Sequence, residues 1–352
     1  MPQSCCIITG MKMLILPIVL ALLVAPGAYA LQAPFPRLSP DVFDVVPPSA
    51  LVRGAPGSMT VQRSGCRTLP TAETRRRIVD VAVQEWAFFG FSLIEPDVDE
   101  GDDDGGFRPD AFRRRDIQGA AHAASSIAGY WAVTPQGAGI ISNQNRAWNG
   151  GGIGERWVAP WSAAFISWLT CESGLGAGNQ FQRAIAHHVY IDQAIRARDG
   201  SAPQAAFTAH DIGEAAIEPG DLLCSSRRPV YRNLAERRRQ MGEGARTHCD
   251  VVVKVDEPGR RIFAIGGNVR GSVSMKLLPA VQAQGKLLRP TDQPILGRRR
   301  PVFAHLKLRA RPVEANALDN SPTIRALACR TGAQESARIR VLTSAAVGTQ
   351  RC

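Results

Sequence analysis

The chain has 352 residues, 45% of them hydrophobic, and a formal charge of +11 carried almost wholly by arginine, since it holds only five lysines. That apolar share supplies a real core and excludes a disordered chain, and the length fits one large domain or two ordinary ones. The guanidinium fork pairs with carboxylates and phosphates, so the excess points to an anionic partner, although solvated surface arginine accounts for it equally well.

Residues 1–30 read as a secretory signal peptide. The apolar run Leu14 to Val24 follows Lys12 and ends in Ala28-Tyr29-Ala30, the charged, apolar and small-residue order that precedes cleavage. Translation from Met11 instead of Met1 would place Lys12 directly behind the initiator. An apolar run of about 11 residues is short for a bilayer core of about 30 Å, so stable membrane insertion after cleavage is not expected. A periplasmic or secreted location follows, and export removes nucleic acid as a partner. Six cysteines remain, Cys66, Cys171, Cys224, Cys249, Cys329 and Cys352; one to three disulfides fit an oxidising compartment, with the pairing open.

Residues 31–71 are rich in Pro, Ser and Gly without apolar periodicity and read as a flexible linker. A helix follows, capped by Thr71 or Thr74, with Ile78, Val81, Ala82, Glu85, Trp86 and Phe89 at three-and-four spacing. The acidic run Asp97 to Asp104 lacks calcium-loop spacing and reads as a solvated loop. Helical patterns return at 117–134, 160–172 and 181–198. Strands then follow at 222–224, 249–255, 261–267 and 302–308, an order that predicts an α+β fold. The main domain is expected over 72–311. Residues 312–352 form a C-terminal extension, with Cys329 and Cys352 available to pin it. Six arginines between 227 and 239 read as a solvated helix in preference to a groove for anionic glycan.

The chemistry-bearing residues lie on the third helix and two strands. Pro160 opens the helix, which leaves Ser162 at its N-terminus among free backbone amides, where an oxyanion could be held. On the strand Thr247 to Val255, the residues Cys249, Val251, Val253 and Val255 share one face, while His248, Asp250 and Lys254 take the other. A three-residue turn at Glu257-Pro258-Gly259 would set His248 opposite Asn268. Ser162, His248 and Asn268 then supply a nucleophile, a base and its orienter. Trp161, Asp250 and His187 are candidate substrate contacts, and for His187, which shares a helix face with Tyr190, packing is the favoured role. Cys171 lies more than two turns beyond Ser162, and Cys249 faces away from His248, so neither replaces the serine. No histidine or cysteine cluster has zinc spacing, the Gly266 to Gly271 stretch lacks the helix a phosphate loop needs, and no metal or cofactor is expected.

The string Pro160-Trp161-Ser162-Ala163-Ala164-Phe165-Ile166-Ser167-Trp168 resembles the nucleophile helix of the NlpC and CHAP peptidoglycan hydrolases, which carry cysteine where Ser162 stands. Pro219-Gly220-Asp221, His248 and Gly266-Gly267-Asn268 follow in their order. The same segments, with Glu85-Trp86 and His187 to Tyr190, are similar to the bacterial family called domain of unknown function 2272, over roughly residues 75 to 310. The resemblance implies a papain-like NlpC/CHAP-type fold with helices packed on a small antiparallel sheet, and peptidoglycan or another anionic envelope polymer as partner. It implies either a peptidoglycan amidase or peptidase, or an inactive cell-wall-binding or scaffold domain. A helix dipole ionises a thiol but not a hydroxyl, so a catalytic Ser162 would need direct proton removal by His248.

Overall fold

The computed structural model describes residues 35–69, 71–95, 117–153, 156–283, 285–292 and 300–330. The signal segment, the acidic run 97–104, Cys352 and the side chain of Cys329 lie outside the described residues.

The first elements among the described residues are a 3-10 turn, Pro48–Leu51, and a two-stranded ribbon of β1 (Val52–Arg53) and β2 (Thr60–Val61). This part of the segment expected as a linker is packed. Phe43, Leu51 and Met59 are buried, Asn145 brackets Met59 through its backbone N–H and C=O, and Arg37 forks onto Glu85. Helix α1 (Thr71–Phe88) comes where its periodicity places it, followed by β3 (Ser92–Ile94), α2 (Ile117–Ala132) and α3 (Gly137–Gly151). Helix α3 carries no sequence signal because its four glycines and three asparagines dilute any apolar stripe. Helix α4 (Ser162–Glu172) begins at the expected serine, and α5 (His187–Arg198) starts six residues later than its pattern suggested.

The remaining elements are β4 (Phe207–His210), β5 (Leu222–Arg228), α6 (Leu234–Arg238), β6 (Arg246–Asp256), β7 (Arg261–Val269), β8 (Ser272–Val281), β9 (Arg289–Pro290), β10 (Val302–Leu308) and α7 (Pro322–Arg330). The α+β class holds, but the sheet is neither small nor purely antiparallel. Eight strands run in the order β3-β8-β7-β6-β5-β10-β4 with β9 beside β8, and β3 pairs with β8 in parallel. Strand β8 lacks clean alternation, since it is buried along most of its length, while β3 and β4 alternate but are only three and four residues long.

Helices α1, α4 and α5 lie against this sheet, and Phe165 of α4 shares one hydrophobic cluster with Cys249, Val251, Val253, Phe263 and Ile265. Gly267 makes the approach possible, because a Cβ there would lie 2.5 Å from that of Phe165. The opposite face holds a second cluster that includes Leu223, Val252, Ile262, Ala264 and Leu278. Two disulfides staple the chain: Cys66–Cys171 joins the N-terminal segment to α4, and Cys224–Cys249 links directly paired residues of β5 and β6.

The arginines at 227–239 do not form a freely solvated helix. Arg237 is fully buried, bidentate on Asp192 and hydrogen-bonded to Tyr231, and Arg238 forks onto Asp199.

Candidate functional site

Ser162 stands at the first position of α4, half-buried, as the sequence places it. Its partner is His187, whose Nε2 lies 2.7 Å from Ser162 Oγ. His187 opens α5 and is buried at 3% exposure. Two donors converge on its other ring nitrogen: the Cys249 backbone N–H at 3.2 Å and the Tyr190 hydroxyl. A nitrogen that accepts the amide hydrogen cannot carry its own, so Nδ1 presents a lone pair and Nε2 holds the proton. The ring therefore donates to Ser162.

His248 does not reach the serine, and no hydrogen bond joins them. Its Nε2 donates instead to Asp250 Oδ1 at 2.8 Å, and Asp250 Oδ2 accepts from Lys276 Nζ at 2.7 Å. Strand geometry explains this pairing. Residues 248 and 250 share a face two positions apart, and Gly266 opposite them leaves room, since a Cβ there would sit 1.9 Å from Asp250 Oδ1. That face alternates with the one carrying Cys249 and Val251 against α4, so His248 takes the face of β6 turned away from that helix. The two imidazoles are nevertheless close, with ring centroids 5.2 Å apart.

The expected contact between His248 and Asn268 is absent for a related reason. The turn between β6 and β7 has four residues, closed by Asp256↔Arg261, and an irregularity after Val252 restores the anticipated register at Val251↔Ile265. Beyond that pair Asn268 adopts a left-handed φ of 56°, a conformation asparagine tolerates, and the β7–β8 ladder shifts between Gly266 and Val269. Asn268 leaves the ladder and Asp250 takes the orienting place. Trp161 is a core residue, buried at 2% and stacked between Phe89 and Tyr130.

The electrostatics favour the neutral form of both imidazoles. Burial, reinforced by His248, Lys276 and Arg227, holds His187 well below the usual histidine range against the pull of Asp250. Burial also depresses His248, with Lys276 and Arg227 adding to it and Asp250 opposing. Burial alone would raise the Asp250 carboxyl, but the charges and hydrogen bonds of His248 and Lys276 outweigh it and hold the group below the ordinary carboxylate range.

Lys276 was not anticipated, because its strand lacks a clean pattern. Tyr190 was legible only as a neighbour three residues from His187 on one helix face. Among the described residues no group of three His, Cys, Asp or Glu side chains could hold a metal ion.

Fold and site together define an α+β protein with a buried Ser–His pair at a helix N-terminus and a His–Asp–Lys cluster beside it. Residues 121–308 match the family model described as an uncharacterized protein conserved in bacteria, DUF2272; that is more than half of the chain, and the chain belongs to this family. No curated protein and no solved structure matches it.

Proposed function

We propose that this protein is an exported, non-catalytic cell-wall-binding or scaffold domain, built on a papain-like scaffold of the NlpC/CHAP type whose nucleophile position is occupied by a serine. The carrying observation is the hydrogen bonding of His187. With Nδ1 accepting from Cys249 and Tyr190, the ring donates to Ser162 Oγ and cannot take its proton. Burial lowers the basicity of the same ring. Two disulfides accord with an oxidising compartment, and no helix among the described residues is long and apolar enough to cross a membrane. The arginine excess suits an anionic polymer such as peptidoglycan.

One observation favours a second reading, hydrolysis with His248 as base. Asp250 clamps His248 Nε2, and Nδ1 makes no hydrogen bond among the described residues, which is how an oriented general base is held. This requires Ser162 to leave His187 and reach the neighbouring imidazole of His248.

The test is digestion of purified peptidoglycan by wild-type, Ser162→Ala and Ser162→Cys proteins, alongside co-sedimentation with intact sacculi. The binding reading expects no muropeptide release by the wild type and co-sedimentation unchanged in Ser162→Ala. Activity confined to Ser162→Cys agrees with it, marking a cleft whose chemistry is disabled. Release by the wild type that disappears in Ser162→Ala overturns it in favour of hydrolysis, and failure of the wild type to sediment removes it outright.

A further inference from the structure

At the far end of α4 from Ser162, about 16 Å along the helix axis for its eleven residues, a cavity of about 410 Å³ opens between the N-terminal segment and Glu172. Val46 and Leu51 form apolar wall, while Arg63, Arg67 and Glu172 line the rest. The volume falls at the lower end of small-ligand sites, about 300–1,000 Å³.

The polar groups are unequally satisfied. Arg67 donates through Nη1 to Asp44, and its Nε sits 3.1 Å from Glu172 Oε2 without the alignment of a hydrogen bond. Glu172 Oε2 accepts from the Val46 N–H, while Oε1 has no hydrogen bond among the described residues. Arg77 donates to the Glu172 carbonyl from behind, and its buried Nη2 has no hydrogen bond, only an ion pair with Asp44 Oδ2 at 3.9 Å. The Arg63 backbone N–H donates to the Leu51 carbonyl, but its side chain is exposed and makes no ion pair or hydrogen bond among the described residues. Arg67 and Arg77 thus have carboxylates beside them, Asp44 and Glu172 for the first and Asp44 for the second, whereas the Arg63 side chain at the cavity has no paired carboxylate among the described residues. Cys66 also lines the cavity, and its disulfide to Cys171 fastens the wall to α4.

We infer that this cavity binds the carboxyl terminus of a short peptide ending in small apolar residues. The free carboxylate pairs with Arg63 beside Arg67, the terminal side chain rests on Val46 and Leu51, and a peptide N–H donates to Glu172 Oε1. A peptide terminus offers an anion, a donor and an apolar group within one small volume, which matches the three kinds of wall. Burial raises the Glu172 carboxyl, opposed by Val46, Arg67 and Arg77, which agrees with a carboxylate that lacks one hydrogen-bond partner. The inference does not depend on what Ser162 does.

The experiment is calorimetric titration of the full chain with three probes: N-acetyl-alanyl-alanine, its C-terminal amide, and inorganic phosphate. The free-acid peptide is expected to bind with a Kd of about 1 mM or tighter, with the amide and phosphate at least about tenfold weaker. Arg63→Glu is expected to weaken the free acid by about tenfold or more and Arg63→Lys to retain most of the affinity. The Arg63 side chain is exposed and unbonded, so thermal melts of both variants should overlay the wild type and exclude misfolding. Equal binding of acid and amide, equal binding of phosphate, no effect of Arg63→Glu, or no heat up to about 10 mM peptide would each overturn the assignment.

Discussion

A single donor decides the character of Ser162. The Cys249 N–H belongs to the β6 backbone and cannot be removed by changing a side chain, so the tautomer of His187 is set by main-chain geometry as much as by Tyr190. Titration of His187 followed by NMR should show a neutral ring protonated at Nε2, with no midpoint near its ordinary value of about 6.5. A midpoint there, or a proton on Nδ1, would remove the argument against Ser162 as a nucleophile. Asp80 on α1 is a second isolated case. Burial pushes its carboxyl up to about 7 despite Arg76 and Arg77, and Oδ1 has no hydrogen bond. A folded-state value above the unfolded one means that the native state binds the extra proton, so this group's contribution falls as pH rises from about 4 through 7. Asp80→Asn should therefore raise the melting temperature at pH 8 and change it little near pH 4. Equal shifts at both pH values would show that the gain is not electrostatic.

At the level of elements, the contact between α4 and β7 depends on one missing side chain. Gly267→Ala would drive a methyl group into Phe165, and overpacking of this kind costs about 1–3 kcal/mol. Denaturant titration should show that loss, and a change below about 0.5 kcal/mol would mean that the helix can retreat from the strand. The sequence pattern made the bulky and small faces of β7 visible, and the register at Val251↔Ile265 follows from it. The turn length did not follow. A three-residue turn and a four-residue turn with a compensating bulge give the same pairing at that end, and local pattern cannot separate them.

Across the whole molecule the two disulfides close loops of very different span, 105 and 25 residues. Loop-closure entropy predicts that removing Cys66–Cys171 as a double alanine variant destabilises by about 5 kcal/mol, against about 3–4 kcal/mol for Cys224–Cys249. Urea midpoints of the two variants should fall in that order. The reverse order would mean that the N-terminal segment stays docked without the disulfide, through contacts such as Arg37 with Glu85, Val46 with Glu172 and Asn145 with Met59.

The sequence by itself determined the α+β class, the positions of α1, α4 and β10, the placement of Ser162 at a helix start, and the shared face of His248 and Asp250. These follow from apolar period, capping and strand alternation, which are local properties of the chain. The tertiary structure alone decided which histidine meets Ser162, because that contact joins residues on two helices separated by a loop. It also decided that Asn268 leaves the ladder, that Lys276 reaches Asp250, and that the cysteines pair as 66–171 and 224–249. Each of these depends on distances between elements remote in sequence, where local preference carries no information and packing makes the choice.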